Sequence, residues 1–286
     1  MVVVWQTLER VYNPPRVLEQ DGAVEHSSLY QWLTQSTPTL RSPIRTMKPL
    51  TVYGHWAAPN PFKVLTILKE LEVPYDYRII ELSDVKQENF VKINPNGRLP
   101  AVIDPNTNTT IWESGAIIVY LVEQYDIQGK ISFQSTAEKY GCLQWLMFQV
   151  SGTCERSSSS GYQDGWRALG QGPYFGQAVW FVRFHPEKLE SAIDRYVNEV
   201  IRIIRVLDNF LKDKRWLVGD KCTYADLAFV TWAHIAKGLL AQTNKNDVLE
   251  QAANYTSWLA VMEARDSVRS IVDTMVKERA AHGLPP

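Results

Sequence analysis

The sequence predicts an α/β domain followed by an all-helical one. Two observations carry that reading. Short β-favouring runs alternate with apolar helices up to about residue 125 and then cease. Beyond residue 129 apolar residues recur only at helical spacing. The chain has 286 residues, 45% of them apolar, enough for two domains with a sizeable core.

Each element follows from local pattern. Leu50–Tyr53 is a short apolar run suited to a buried strand. Pro61 occupies the place of a first helical residue, ahead of Val64, Leu65, Ile67, Leu68 and Leu71 at helical spacing. Tyr75–Leu82 is rich in β-favouring residues. Strand, helix and strand in that order make a βαβ unit, whose strands run parallel. Ala101–Asp104 and Thr110–Trp112 bracket the turn-rich Asp104-Pro105-Asn106-Thr107-Asn108 and read as a hairpin. Ser114–Tyr125 closes the segment as an apolar helix. An order of βαβ followed by ββα is that of a thioredoxin-like domain, placed at residues 47–129.

The strands stop after Gln128-Gly129-Lys130. Leu189, Ile193, Tyr196, Val200, Ile204, Leu207 and Leu211 form one apolar stripe along a long helix. Lys221–Lys237 and Tyr255–Arg265 are further helices, giving an all-α domain at residues 134–280. Thr223 can cap the first of these, with Asp226 reaching back to its N–H to close a capping box, a folding role. Residues 1–46 differ: Pro14, Pro15, Pro38 and Pro43 stand among scattered polar residues with no sustained period. They read as an extension that is disordered or loosely docked, or as a mis-predicted first exon, since Met47 directly precedes the first strand.

Charge and cysteine usage narrow the function. The formal charge is −1, from 30 basic and 31 acidic residues. That balance supplies no net field to hold nucleic acid or an anionic membrane, so neither is expected as a partner. Cys142, Cys154 and Cys222 are odd in number and far apart, forming no CxxC pair and no metal-ligand spacing. The expectation is no metal, no disulfide scaffold and a cytoplasmic location. The first residues lack the order of a signal peptide, and no run approaches ~18 apolar residues, so no membrane span is expected.

The strongest signal is Asn94-Pro95-Asn96-Gly97-Arg98-Leu99-Pro100, followed by Trp112-Glu113-Ser114-Gly115-Ala116. A cis peptide at Leu99–Pro100 would leave the Leu99 N–H and C=O free to pair with an extended peptide laid alongside. Ser114 heads an apolar helix, where its N–H and hydroxyl can bind a carboxylate, and Glu113 can pair with an ammonium. The same pair is also a plausible helix cap, and Pro100 alone argues only for a fold. A ligand with both charged groups at one end of an extended peptide body fits glutathione.

With Ala58-Pro59-Asn60-Pro61-Phe62-Lys63-Val64 added, the chain resembles the glutathione transferase superfamily over roughly residues 48–275. It is most similar to the fungal class around the yeast nitrogen-regulation protein and its bacterial nu-class relatives. The resemblance implies glutathione as co-substrate, with Leu99 and Pro100 at its cysteinyl backbone and Glu113 with Ser114 at its γ-glutamyl end. It puts Asn60 near the sulfur as the catalytic group, Arg98 beside the site and Lys86 toward the glycyl carboxylate. Asn60 reads equally as an ordinary helix N-cap. Trp56, Trp145, Gln149, Tyr174 and Phe175 are candidates for the second-substrate wall, or else core. Relatives pass almost directly from Phe148–Gly152 to Gln171–Gln177, whereas here Thr153–Gly170 intervenes, with four consecutive serines. This insert reads as a retained intron or a surface loop.

The function so implied is activation of the glutathione thiol, which then attacks a small electrophile or disulfide. None of the three cysteines sits in the loop where a protein-thiol mechanism would need one. A homodimer is implied by the family. Two alternatives remain open: a tailoring enzyme of fungal secondary metabolism, forming an adduct or isomerising a double bond, and a non-enzymatic regulator. The yeast regulator's tail is rich in Asn and Gln, whereas residues 1–46 here contain one Asn and four Gln, which weighs against such a tail.

Overall fold

The computed structural model describes residues 47–151 and 171–283. The extension at 1–46 and the insert at 153–170 lie outside the described residues. Strand β1 (Leu50–Gly54), helix α1 (Pro59–Glu70) and strand β2 (Tyr75–Ile79) form the βαβ unit. Helix α2 (Glu88–Val91), strands β3 (Ala101–Asp104) and β4 (Thr109–Trp112), and helix α3 (Ser114–Tyr125) complete the first domain. The sheet runs β2-β1-β3-β4. β1 and β2 are parallel with Leu50 opposite Tyr75, and β1 and β3 antiparallel with Val52 opposite Val102. β4 pairs antiparallel with β3, Trp112 opposite Ala101.

Two boundaries differ from the sequence expectation. β2 ends at Ile79, not Leu82, because its one neighbour β1 ends at the residue opposite, Gly54. α1 begins at Pro59 with Ala58 as an extended N-cap, so both Pro59 and Pro61 fall in the first turn. Helical N–H groups have no partner there, so neither ring costs a bond. Asn60 therefore sits inside the helix and does not cap it.

The second domain comprises α4 (Thr136–Val150), α5 (Gln171–Arg183), α6 (Glu190–Phe210), α7 (Tyr224–Leu227) and α8 (Val230–Gln242). It ends with α9 (Asp247–Gln251), α10 (Ala253–Glu263) and α11 (Asp266–Ala281). α6 buries Ile193, Val200, Ile204 and Leu207 of the expected stripe and adds Val197, whereas Tyr196 is half-buried and Leu189, the N-cap, is exposed. The single helix expected over 221–237 is broken at Ala228–Phe229 into α7 and α8. α11 goes beyond the expected elements, although Val268, Ile271 and Met275 recur at steps of three and four and are buried. The capping box forms as read: Thr223 Oγ1 accepts from the Ala225 N–H and Asp226 Oδ2 from the Thr223 N–H. Asp226 Oδ1 also accepts from the Leu217 N–H and Trp258 Nε1, each at 2.9 Å, so one buried carboxylate fastens three segments.

α1 joins the two domains. It buries residues on every side, including the polar Lys63, Thr66 and Glu70. Thr66 Oγ1 donates to the Phe62 carbonyl within its own helix. Glu70 receives Arg265 in two hydrogen bonds, 2.6 and 3.0 Å, and the Ser267 hydroxyl at 2.5 Å. Within the first domain, buried Asp104 at the end of β3 accepts from the hydroxyls of Tyr120 and Tyr125 of α3.

Burial by itself would raise the Glu70 carboxyl, but the bonds from Ser267 and Arg265 outweigh it and hold the group below its ordinary value. A carboxyl lowered by folding stabilises above its unfolded pKa of about 4.5, and that contribution is lost as pH falls through the folded value. Glu70→Gln should cost about 2 kcal/mol near neutral pH. Melting curves should also show a smaller acid loss between pH ~6 and ~3 than in the wild type.

Candidate functional site

A cleft of ≈ 1250 Å³ opens between the sheet domain and the helices. One wall is the loop entering β3. Asn94 is buried, its Nδ2 donating to the Arg98 carbonyl at 2.6 Å and its Oδ1 accepting from the Asn96 N–H at 2.9 Å. Gly97 has φ +54°, and a Cβ there would stand 2.6 Å from the Val85 carbonyl oxygen, so only glycine fits. This loop presents Arg98, Leu99 and Pro100 to the cleft, with a cis peptide between Leu99 and Pro100. The Leu99 N–H and C=O have no hydrogen-bond partner among the described residues.

The adjoining wall is the start of α3. Glu113 has φ 69° and ψ 115°, a conformation that non-glycine residues rarely hold. It turns the chain from β4 into the helix and leaves its carboxylate on the cleft, 3.4 Å from Asn96 Nδ2. Ser114 follows as the first helical residue, its N–H at the positive end of α3.

Across the cleft stands Asn60. Its Oδ1 accepts from Trp232 Nε1 of α8 at 3.0 Å, which leaves the amide N–H groups as donors. Pro59 and Pro61 have no N–H, so Asn60 also supplies the first free backbone donor of α1. Val150, Ser151, Gly172, Pro173, Tyr174, Gly176, Gln177 and Tyr196 complete the far side. One turn deeper, Lys63 is 1% exposed, its Nζ donating to Gln149 Oε1 at 2.6 Å. The chain continues from Gln149 Nε2 to Gln171 Oε1 and from Gln171 Nε2 to the Phe229 carbonyl. Burial pushes the Lys63 amine down to about 7, with the Glu113 charge acting against it.

Residues 48–123 match the family model for the glutathione S-transferase N-terminal domain, and residues 172–266 that for the C-terminal domain. The glutathione S-transferase-like protein gedE of Aspergillus terreus is 42% identical over 237 residues, covering 80% of this chain and 96% of its own. The chain belongs to the glutathione S-transferase family. Another relative, the glutathione S-transferase-like protein tpcF of Aspergillus fumigatus, is 42% identical over 78% of this chain and 94% of its own. Among solved structures, the glutathione transferase URE2P6 of Phanerochaete chrysosporium, in complex with oxidized glutathione, superposes with a TM-score of 0.70 at 38% identity. It covers 81% of this chain and 98% of its own.

In this transferase-family chain the cleft gathers Asn60, Arg98, Leu99, Pro100, Glu113, Ser114 and Tyr174 from the sequence-derived set. Five others lie elsewhere. Lys86 braces the loop from outside, its Nζ on the Asn96 carbonyl at 2.7 Å. Gln149 is fully buried beneath the cleft. Phe175 and Tyr174 are both buried in the core, and only Tyr174 reaches the edge of the cleft. Trp145 packs edge-on against Phe148, Phe210 and Phe229. Trp56 stacks on His282 at 3.9 Å and lines a separate cavity of ≈ 360 Å³ beside α11.

Asn94 and Asn96 lay within the quoted motif but were not assigned; their loop-closing bonds are a common use of asparagine in turns. Trp232 and Tyr196 carry no local signal, since helix packing alone brings them to the cleft. Cys142 and Cys222 are buried away from it; burial pushes the Cys142 thiol up to about 11 and the Cys222 thiol higher. Among the described residues no cluster of metal-ligating side chains occurs, and no helix is long and apolar enough to cross a membrane.

Trp232→Phe removes the bond to Asn60 while keeping most of the ring's packing. Urea denaturation should show a cost of about 1 kcal/mol, against about 3–5 for Trp232→Ala, because Asn60 Oδ1 can turn to water in the cleft.

Proposed function

We propose that this chain is a glutathione transferase that activates the glutathione thiol toward a second, largely apolar electrophile. The observation that carries this reading is the unpaired Leu99 backbone edge standing beside Glu113 and Ser114, with Asn60 facing them. An extended tripeptide pairs with such an edge as an added strand. Its terminal ammonium meets the Glu113 carboxylate, and its neighbouring carboxylate meets the Ser114 N–H and hydroxyl at the positive helix end. Arg98 adds positive charge at the rim.

Glutathione supplies a thiol that is only a few per cent ionised near neutrality. The residues act on that equilibrium. Trp232 holds Asn60 Oδ1, so the amide N–H donors of Asn60 face the cleft and favour the anion, as does the free N–H of the α1 first turn. Tyr196 and Pro173, with the edge of the buried Tyr174 ring, form an aromatic and apolar surface next to the sulfur's expected place, suited to the second substrate. The reaction within this reading is conjugation or glutathione-dependent reduction, by a cytoplasmic homodimer. The likeness to the gedE and tpcF proteins favours one alternative, a secondary-metabolite tailoring enzyme that forms a glutathione adduct or isomerises a double bond. A regulator on this fold would need the Leu99–Glu113 wall but not the Asn60 donors.

Calorimetric titration with glutathione tests the site. Wild type should bind, and Glu113→Ala should bind at least ~30-fold more weakly. Asn60→Ala should keep binding while conjugation of 1-chloro-2,4-dinitrobenzene falls about 10–100-fold in kcat. Wild-type protein that binds no glutathione would sink the reading, and binding without any turnover would favour the regulator.

A further inference from the structure

Lys63 is buried with no carboxylate at ion-pair distance among the described residues; its acceptor is the neutral Gln149. A buried cation held in this way is costly unless another charge compensates it. The charges around it are few. Of the elements packed on α1, the entry to α3 brings Glu113 to bear on Lys63. Helices α4 and α5 present Gln149 and Gln171, and α8 presents Trp232, which is engaged with Asn60. Helix α7, also packed on α1, carries Tyr224 and Asp226, the latter held by Leu217, Thr223 and Trp258. His55, after β1, answers to Glu81 and His282. Arg279 of α11 donates to the Ala57 carbonyl, and Glu70 at the far end of α1 is held by Arg265.

The position of Lys63 links it to the cleft. It stands three residues after Asn60, on the same side of α1. A Cβ at Gly172, on the cleft wall, would lie 3.8 Å from Trp232 Nε1 and 3.9 Å from Gln149 Nε2. The Asn60–Trp232 and Lys63–Gln149 pairs thus meet directly beneath the ligand's space.

We propose that Lys63 is a charge-compensating positioning residue, whose amine takes up a proton from solvent when a net-anionic ligand is seated beside Glu113. In the open cleft Glu113 alone offsets the ammonium. A bound glutathione sets its ammonium on Glu113 but one carboxylate beside it at Ser114 and a second further along, so the cleft gains a net charge of −1 and the charged form of Lys63 is favoured. With the amine brought to about 7 by burial, both forms are populated near neutral pH, where this uptake is measurable. The inference rests on the transferase reading of the cleft and deepens it.

The test uses S-methylglutathione, which has no thiol proton to lose, in calorimetry at pH about 7.5 in buffers of low and high ionisation enthalpy. Wild type should take up about half a proton and bind more weakly as pH rises from ~7 to ~8. Lys63→Met should show no uptake, a flat pH profile and about tenfold weaker binding near pH ~7. Lys63→Arg should restore affinity without the uptake, since guanidinium stays charged. The NMR shift of the Lys63 side chain, which needs no variant, should titrate at higher pH with ligand than without. Binding without a linked proton, uptake that survives in Lys63→Met, or an unmoved Lys63 titration overturns this inference and leaves the transferase reading standing. No binding by wild type overturns both.

Discussion

Helix α1 exposes only Lys69 fully, and the rest of the structure is arranged to cover it. A helix of twelve residues that buries nine of them must be covered on all sides. The sheet and α3 cover part, and α7, α8 and α11 cover more. Its apolar residues ask only for contact, whereas Lys63 and Glu70 ask for particular partners. Gln149 answers one from α4, and Arg265 and Ser267 answer the other from the end of the chain. Removing either partner would leave a buried polar group unmet, so these bonds select a single docking of the helices onto the sheet domain.

Having fixed α1, the fold divides recognition between backbone and side chains. The Leu99 edge and the α3 N-terminus are backbone features, set by the closing bonds of Asn94, the missing Cβ of Gly97 and the unusual dihedrals of Glu113. They suit a feature that every extended peptide shares. Asn60, Tyr174 and Tyr196 are side-chain features held by helices of both domains, and they line the opposite part of the cleft.

The sheet domain was largely legible in the sequence because its signals are local. Apolar runs, a proline-started helix and a turn-rich hairpin each announce themselves within ten residues, and Glu113–Ser114 sits where a strand passes into a helix. What stayed illegible depends on packing. β2 ends where its neighbour ends, which only the pairing register reveals. Asn60 looked like a cap because Pro61 looked like a first residue, and two prolines in one first turn leave the helix start ambiguous. Phe175 and Trp145 are aromatic residues near the cleft in sequence, but helix phase turned them inward. Trp232 reaches Asn60 across 172 residues of chain. Segments 1–46 and 153–170 stand apart in composition, and the architecture set out above is that of the residues on either side of them.

Burial of Cys142 and Cys222 has a consequence of its own. Thiols whose ionisation is pushed well above neutrality neither attack nor exchange at any useful rate while they remain covered. Among the described residues no protein thiol is therefore placed for sulfur chemistry in the folded state. Those two side chains become nucleophiles only when the helices around them separate, so an alkylating reagent meets them as a record of opening.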